Sequence, residues 1–169
     1  ITETGIRPCA SPVGRVMAYA SAKYDALNEI LAAEMQVLGP DIRAVIVTDF
    51  EKNSATSVVE DLLDKDAGGA IAAFRALLEY ESTDRLNPVL MTGSTVLVDD
   101  DIIKHILPRF EEWIKLRKLD IDLEIVDNFG FKEIKGKGGH WKPRYYTEMI
   151  THMFQQGITK CLVGTRGLL

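Results

Sequence analysis

The chain has 169 residues, 46% of them hydrophobic and 27% charged, with a formal net charge of −5. This size and composition are typical of one globular domain with a substantial core. No apolar run approaches the ~18 residues that span a bilayer, no signal peptide is evident, and the acidic balance argues weakly against a general nucleic-acid binder. We therefore expect a cytoplasmic protein with no membrane partner.

The cysteines and histidines indicate neither a disulfide framework nor a metal site. Cys9 and Cys161 lie among apolar or small residues, and we expect both to be buried free thiols. His105, His140 and His152 show no metal-ligand spacing with each other or with the cysteines. No metal ligand is predicted in this chain.

The two ends of the sequence suggest a piece of a longer protein. It begins at Ile1 without a methionine and stops at Leu169, directly after a predicted strand. A core strand normally has a helix to cover it. We expect a fragment, with an N-terminal arm or linker over residues 1–20 and one domain over residues 21–169.

Apolar spacing and the placement of glycine and proline predict alternating helices and strands. In chain order they are a helix over 21–38, a strand over 42–48, helices around 58–63 and 71–80, a strand over 88–92, a helix from 99, a half-exposed or edge strand over 121–126, a helix over 144–156 and a strand over 159–163. This alternation indicates βαβ crossovers. The predicted fold is α/β, with a mainly parallel central sheet and helices on both faces.

Charge is distributed unevenly along the chain. Residues 1–127 hold 13 Lys and Arg against 23 Asp and Glu, whereas residues 128–169 hold 7 against 2. The basic end contains a glycine-rich insertion at about 128–143. Its lysines could follow a phosphate backbone, and Trp141 offers a ring on which a base can stack. The alternative is a solvated β-hairpin or disordered loop with Trp141 in the core.

Small and polar residues follow three of the predicted strands. Thr48 ends the first and Asp49 follows it, Gly93-Ser94 follows the second and Gly164-Thr165 the last. Ligands bind at the carboxyl ends of parallel strands, where hydroxyls and backbone N–H groups suit phosphate oxygens. Each pair also has a structural alternative. Thr48-Asp49 could form a turn or helix cap, Gly93 could make the turn before a helix, and Gly164 could be an ordinary strand-to-loop glycine.

Three consecutive acids, Asp99–Asp101, stand where a helix is predicted to begin. Carboxylates at this position accept hydrogen bonds from free backbone N–H groups and oppose the helix dipole. We interpret them as helix caps rather than as metal ligands.

Three segments together resemble the second motor domain of superfamily 2 helicases of the DEAD/DEAH type. A helix ending in Phe154-x-x-Gly157, a hydrophobic strand and Gly164-Thr165 are similar to the approach to motif V. Residues 21–24 and 43–50 are similar to the opening helix and motif IV strand, and residues 90–95 more loosely to a strand ending in Thr-Gly. The sequence ends within motif V, and the stretch from Asp99 to Trp141 is longer than the family needs.

The resemblance implies a three-layer RecA-like domain of an ATP-dependent helicase or translocase. In that family these strand ends contact the nucleic-acid backbone, and ATP and Mg²⁺ lie between this domain and an N-terminal RecA-like domain of the same chain. The nucleotide-facing residues are expected beyond Leu169, so the fragment alone is predicted to have no catalytic residue and no ATPase activity. The predicted nucleic-acid contacts are Thr48, Asp49, Gly93, Ser94, Trp141, Lys142, Arg144, Gly164, Thr165 and Arg166.

Two other classes of protein remain as alternatives. The same α/β fold can serve as a non-catalytic interaction or regulatory domain, since fold does not decide function. A small flavodoxin-like or Rossmann-like enzyme is disfavoured, because no Gly-x-Gly-x-x-Gly follows the first strand.

Overall fold

The computed structural model describes residues 22–49, 69–128 and 130–168. Five α-helices occur in these ranges: α1 (Ala22–Leu38), α2 (Gly69–Glu79), α3 (Glu81–Asp84), α4 (Ile103–Arg117) and α5 (Pro143–Gln155). Six strands accompany them: β1 (Ala44–Thr48), β2 (Val89–Met91), β3 (Val96–Asp99), β4 (Asp122–Asn128), β5 (Phe131–Lys137) and β6 (Cys161–Thr165). No described helix has the length and apolar character needed to cross a membrane.

The strands form one sheet in the order β1-β6-β2-β3-β5-β4. β1 and β2 each run parallel to β6, and the other three pairings are antiparallel. The α/β class is confirmed, but the expectation of a mainly parallel sheet is wrong. The predicted edge position of the strand near residues 121–126 is confirmed, because β4 is an outermost strand.

The antiparallel part arises from two short connections. Residues 92–95 join β2 to β3, and Asn128 is followed within three residues by Phe131. A parallel crossover needs a dozen or more residues, so each short link forces the next strand to turn back. Neither β3 nor β5 is among the strands predicted from the sequence, because Val96–Asp99 is only four residues long and Phe131–Lys137 lies within the glycine-rich insertion.

Helices cover the two faces of the sheet through separate cores. Alternate residues of β2, β3 and β6 point to opposite faces, as the pleat requires. One core packs these strands against α4 and α5, around Ile106, Phe110, Tyr146 and Ile150. The other packs them against α1 and α2, with Phe74 and Leu77 among its fully buried residues.

Several sequence expectations fall outside the described residues. They are the arm over 1–20, the helix around 58–63, Phe50 and Cys9. Cys161 lies within the described part and is a buried free cysteine. Burial raises the pKa of its thiol to about 12, so this thiol is unreactive at neutral pH.

Candidate nucleic-acid interface

The carboxyl ends of β1, β6 and β2 meet at one edge of the sheet. Thr48 stands beside Thr165 in the β1–β6 register, and Met91 stands beside Gly164 in the β2–β6 register. The Arg166 N–H donates to the Thr48 carbonyl at 2.9 Å, which extends the ladder past the end of β6. We call this edge the strand-end shelf and define it as residues 48–49, 92–94 and 164–166.

Most of the shelf is accessible to a polymer. Asp49, Gly93, Ser94 and Arg166 are exposed, and Thr165 is half-buried. Within the described ranges, no other residue forms a hydrogen bond with the Thr165 hydroxyl or an ion pair with Arg166. These two side chains can therefore serve as donors to an incoming phosphate.

Gly93 has open space in front of it. A Cβ built on this residue would meet no atom within 4 Å, so packing does not require a glycine here. The absence of a side chain leaves room for a ligand backbone to approach closely.

The backbone amides in the turn beside Gly93 already have hydrogen-bond partners within the chain. The N–H groups of Ser94 and Thr95 both donate to the hydroxyl of Thr92, at 3.3 and 3.0 Å. The Thr92 N–H in turn donates to the Thr95 carbonyl at 2.8 Å. Gly93 thus lies in a tight turn between two strands, and the Ser94 and Thr95 amides are both bonded to Thr92.

Helix α5 begins beside this shelf. The Tyr146 hydroxyl, which is buried, donates to the Thr92 carbonyl at 2.5 Å. This bond places Lys142 and Arg144, both exposed, near the end of β2. The Arg144 guanidinium lies 4.8 Å from the centroid of the Tyr145 ring. The start of α5 therefore brings positive charge to the edge that the shelf occupies.

Trp141 packs rather than standing free. Its ring centroid lies 5.1 Å from that of Tyr146, and it contacts the core beside α4 and α5. A Cβ on Gly136 would come within 2.3 Å of the indole. This is the packing role left open by the sequence, and stacking on a base would require the ring to leave its present contacts.

The glycine-rich insertion supplies strand β5 of the β4–β5 hairpin, and the three lysines of β5 are paired with acids. Lys137 binds Glu124 across the hairpin at 2.9 Å, and Lys132 likewise binds Asp127. Lys135 lies 3.3 Å from Glu133. The hydrogen bond from Lys137 lowers the pKa of the Glu124 carboxyl below its usual range. The hairpin is therefore close to charge balance and is not a continuous basic groove.

A cluster of acids occupies the opposite edge of the sheet. β3 runs antiparallel to β2, so its last residue, Asp99, lies near the start of β2. Carboxylate oxygens of Asp84, Asp99 and Asp101 come within 4.8 Å of one another and line a cavity of about 580 Å³. Oxygen ligands of this kind suit a divalent cation. This acidic cluster could not be predicted from the sequence, because Asp84 precedes β2 and only the fold brings it close to Asp99 and Asp101.

The helix-cap interpretation of Asp99–Asp101 needs correction. Asp99 ends a strand, and its carboxylate accepts a hydrogen bond from the Asp101 N–H at 3.2 Å. Helix α4 begins at Ile103, and no side chain caps its N-terminus. Burial, followed by the nearby Asp84 carboxylate, raises the pKa of Asp99 to about 6, although the Asp101 N–H opposes this shift.

The raised pKa predicts how stability depends on pH. The folded state holds the Asp99 proton more tightly than the unfolded state, so stability falls as pH rises from about 4 to 6. Asp99→Asn removes this loss, and we expect the variant to gain about 1–2 kcal/mol over the wild type at pH 7.5 but little at pH 4. Urea denaturation at both pH values measures the difference. Asp41→Asn, at an exposed site, is the control, and equal pH dependence in the wild type and Asp99→Asn would contradict the prediction.

No protein-family model, curated protein or solved structure matches this chain significantly. The function of the shelf is therefore argued from its own residues and geometry.

Proposed function

We propose that this chain is the second RecA-like domain of a superfamily 2 nucleic-acid-dependent ATPase, and that the strand-end shelf binds the sugar-phosphate backbone. The observation that carries the proposal is the alignment of Thr48, Thr165 and Gly93 at the carboxyl ends of three parallel strands. These are the residues by which the sequence resembles motif IV, motif V and the Thr-Gly element.

The chemistry of the shelf suits a phosphodiester chain. The Thr165 hydroxyl is a neutral hydrogen-bond donor. Arg166 supplies a planar, charged guanidinium, which can donate two parallel hydrogen bonds to one phosphate. Lys142 and Arg144 add positive charge beside β2, and the acids at 84, 99 and 101 lie at the other edge. Asp49 is the one acid of the shelf, and Arg166, Lys142 and Arg144 outnumber it, so we expect the shelf to attract an anionic polymer.

In the intact motor this domain forms one wall of a cleft. ATP and Mg²⁺ would supply the phosphoryl chemistry between this domain and an N-terminal RecA-like partner domain. Closing and opening of that cleft would shift the grip of the shelf on one strand, as conformational gating does in other nucleotide enzymes. We expect the 169-residue chain alone to bind nucleic acid without hydrolysing ATP.

Removing one donor from the shelf tests the proposal. Thr165→Val keeps the side-chain shape but deletes the hydroxyl, and we expect a loss of about 3–10-fold in affinity for single-stranded DNA or RNA. Fluorescence anisotropy of a labelled oligonucleotide at several salt concentrations gives the affinity. Thr151→Val, at a half-buried site within α5, is the matched control. Equal affinity of both variants and the wild type would refute the role of Thr165.

A second candidate is a non-catalytic interaction domain. The observation in its favour is the pairing of Lys132, Lys135 and Lys137 with acids, which leaves the hairpin without a basic groove. This candidate predicts no salt-dependent binding of single-stranded DNA or RNA by the wild-type chain, whereas the shelf requires it.

A further inference from the structure

Within the described ranges, strand β1 pairs only with β6, and its other edge is open. The Ala44 N–H donates to the Lys160 carbonyl and the Arg166 N–H donates to the Thr48 carbonyl, both at 2.9 Å. Parallel pairing alternates along a strand, so Ala44, Ile46 and Thr48 direct their backbone groups to β6. Val45 and Val47 therefore direct their N–H and C=O groups away from the sheet.

The two outermost strands differ in how they are protected. β4 carries exposed acids at Asp122, Glu124 and Asp127, and charge on an edge strand discourages pairing with another sheet. β1 carries no charged residue, and Val45 and Val47 are 51% and 54% exposed. An unprotected apolar edge of this kind is a template for a further strand.

We propose that β1 pairs with β1 of a second copy of this chain, in antiparallel register about a twofold axis at Ile46. In this register Val45 lies opposite the partner's Val47, and each pair exchanges two backbone hydrogen bonds. This register satisfies the backbone, because Val45 and Val47, whose N–H and C=O groups point away from β6, lie opposite each other in the two copies. The two sheets then join into one continuous sheet.

The charges that flank β1 are complementary in this register. Arg43 precedes the strand and Asp49 follows it, so each Arg43 lies opposite the partner's Asp49. The Arg43 guanidinium lies against its own chain, where Nε donates to the Phe154 carbonyl at 3.0 Å and Nη1 donates to the Ile42 carbonyl at 2.7 Å, so we expect attraction between the two charges and not a hydrogen bond to the partner's Asp49. Parallel pairing with a second copy would place like charges together at each end.

The dimer is expected to be reversible. A five-residue strand and four valine side chains give an interface at the small end of the range for specific complexes. The monomer mass is 18.8 kDa, and sedimentation velocity should show it giving way to a species of twice that mass as the concentration rises to about 100 µM. The two shelves point in opposite directions in the dimer, and of the shelf residues only Thr48 and Asp49 lie along the paired edge, so Gly93, Thr165 and Arg166 stay available to nucleic acid.

A cysteine scan tests the register directly. Ile46→Cys places two thiols opposite each other on the twofold axis, at a Cα separation of about 4.5 Å, which a disulfide can span. Val45→Cys is the matched control, since each thiol would face the partner's Val47 and not another thiol. With Cys9 replaced by serine in all three proteins, under mild oxidation we expect at least about ten-fold more covalent dimer from Ile46→Cys than from Val45→Cys or the parent chain, whose remaining Cys161 is buried.

Two results would overturn the proposal. One is a wild-type chain that sediments as a monomer at every concentration, which would leave the edge to another partner or to none. The other is equal cross-linking of the two cysteine variants, which would exclude the twofold register at Ile46. Circular dichroism of both variants checks that the half-buried Ile46 and exposed Val45 positions tolerate cysteine.

Discussion

Arg166→Glu should weaken binding of single-stranded DNA by about 10–100-fold at low salt. The substitution removes one charged donor and places a carboxylate where a phosphate is expected. Arg166 is exposed, and its backbone N–H bonds to Thr48, so the shelf geometry does not depend on its side chain. Each lost phosphate contact should also reduce the salt slope of single-strand binding by about 0.7.

Lys104→Glu is the matched control for this prediction. It makes the same change in net charge, but Lys104 lies in the first turn of α4, beside the acids at the opposite edge. We expect its affinity to stay within about two-fold of the wild type when all proteins are compared at about 0.1 M salt, where the Debye length is about 10 Å and charges at opposite edges of the sheet are largely screened. Equal losses in both variants would mean that net charge, rather than the shelf, governs binding.

Gly138→Ala should destabilise the fold by about 2–4 kcal/mol. Gly138 has a φ of +114°, which is strained for residues with a side chain, and its added Cβ would lie 2.2 Å from the Asp120 carbonyl oxygen. Hydrogen bonds hold the turn after β5 to Asp120. The Gly139 N–H donates to its carboxylate at 3.0 Å, and the Asp120 N–H donates to Nδ1 of His140 at 2.9 Å.

Gly139→Ala provides the comparison one residue away. Its Cβ would lie 3.7 Å from the Asp120 carboxylate, an ordinary van der Waals contact. We expect this variant to lie within about 1 kcal/mol of the wild type in urea denaturation. If Gly138→Ala unfolds at the same urea concentration as Gly139→Ala, the turn is not constrained as the structure describes.

The sequence was sufficient to place most helices and strands in the described ranges. Their apolar spacing is regular, and glycine and proline mark several ends, as at Gly39-Pro40 before β1 and Gly157 after α5. The sheet order was not accessible in the same way. A four-residue strand such as β3 gives too short a pattern to separate from a loop, and its short link to β2 is one of the two that make part of the sheet antiparallel.

In the candidate site, too, features set by neighbouring residues in the sequence could be predicted, and contacts between distant residues could not. The shelf residues could be predicted because they lie at the ends of strands or just beyond them, and parallel strands bring such positions together. Other contacts join residues from separate elements. Examples are the hydrogen bond from Tyr146 to Thr92 and the salt bridge between Lys137 of β5 and Glu124 of β4. Spacing along the sequence therefore carries no signal for them, and the hairpin appeared more basic than it is.

The claim that the shelf binds nucleic acid is tested most directly by an NMR titration of the ¹⁵N-labelled chain with a short single-stranded oligonucleotide. We expect the amide resonances of Thr48, Gly93, Thr165 and Arg166 to shift together in a saturable manner, with smaller changes at the start of α5. Shifts confined to the β4–β5 hairpin or to the cavity around Asp99, or no shifts at low salt, would contradict the assignment of the shelf.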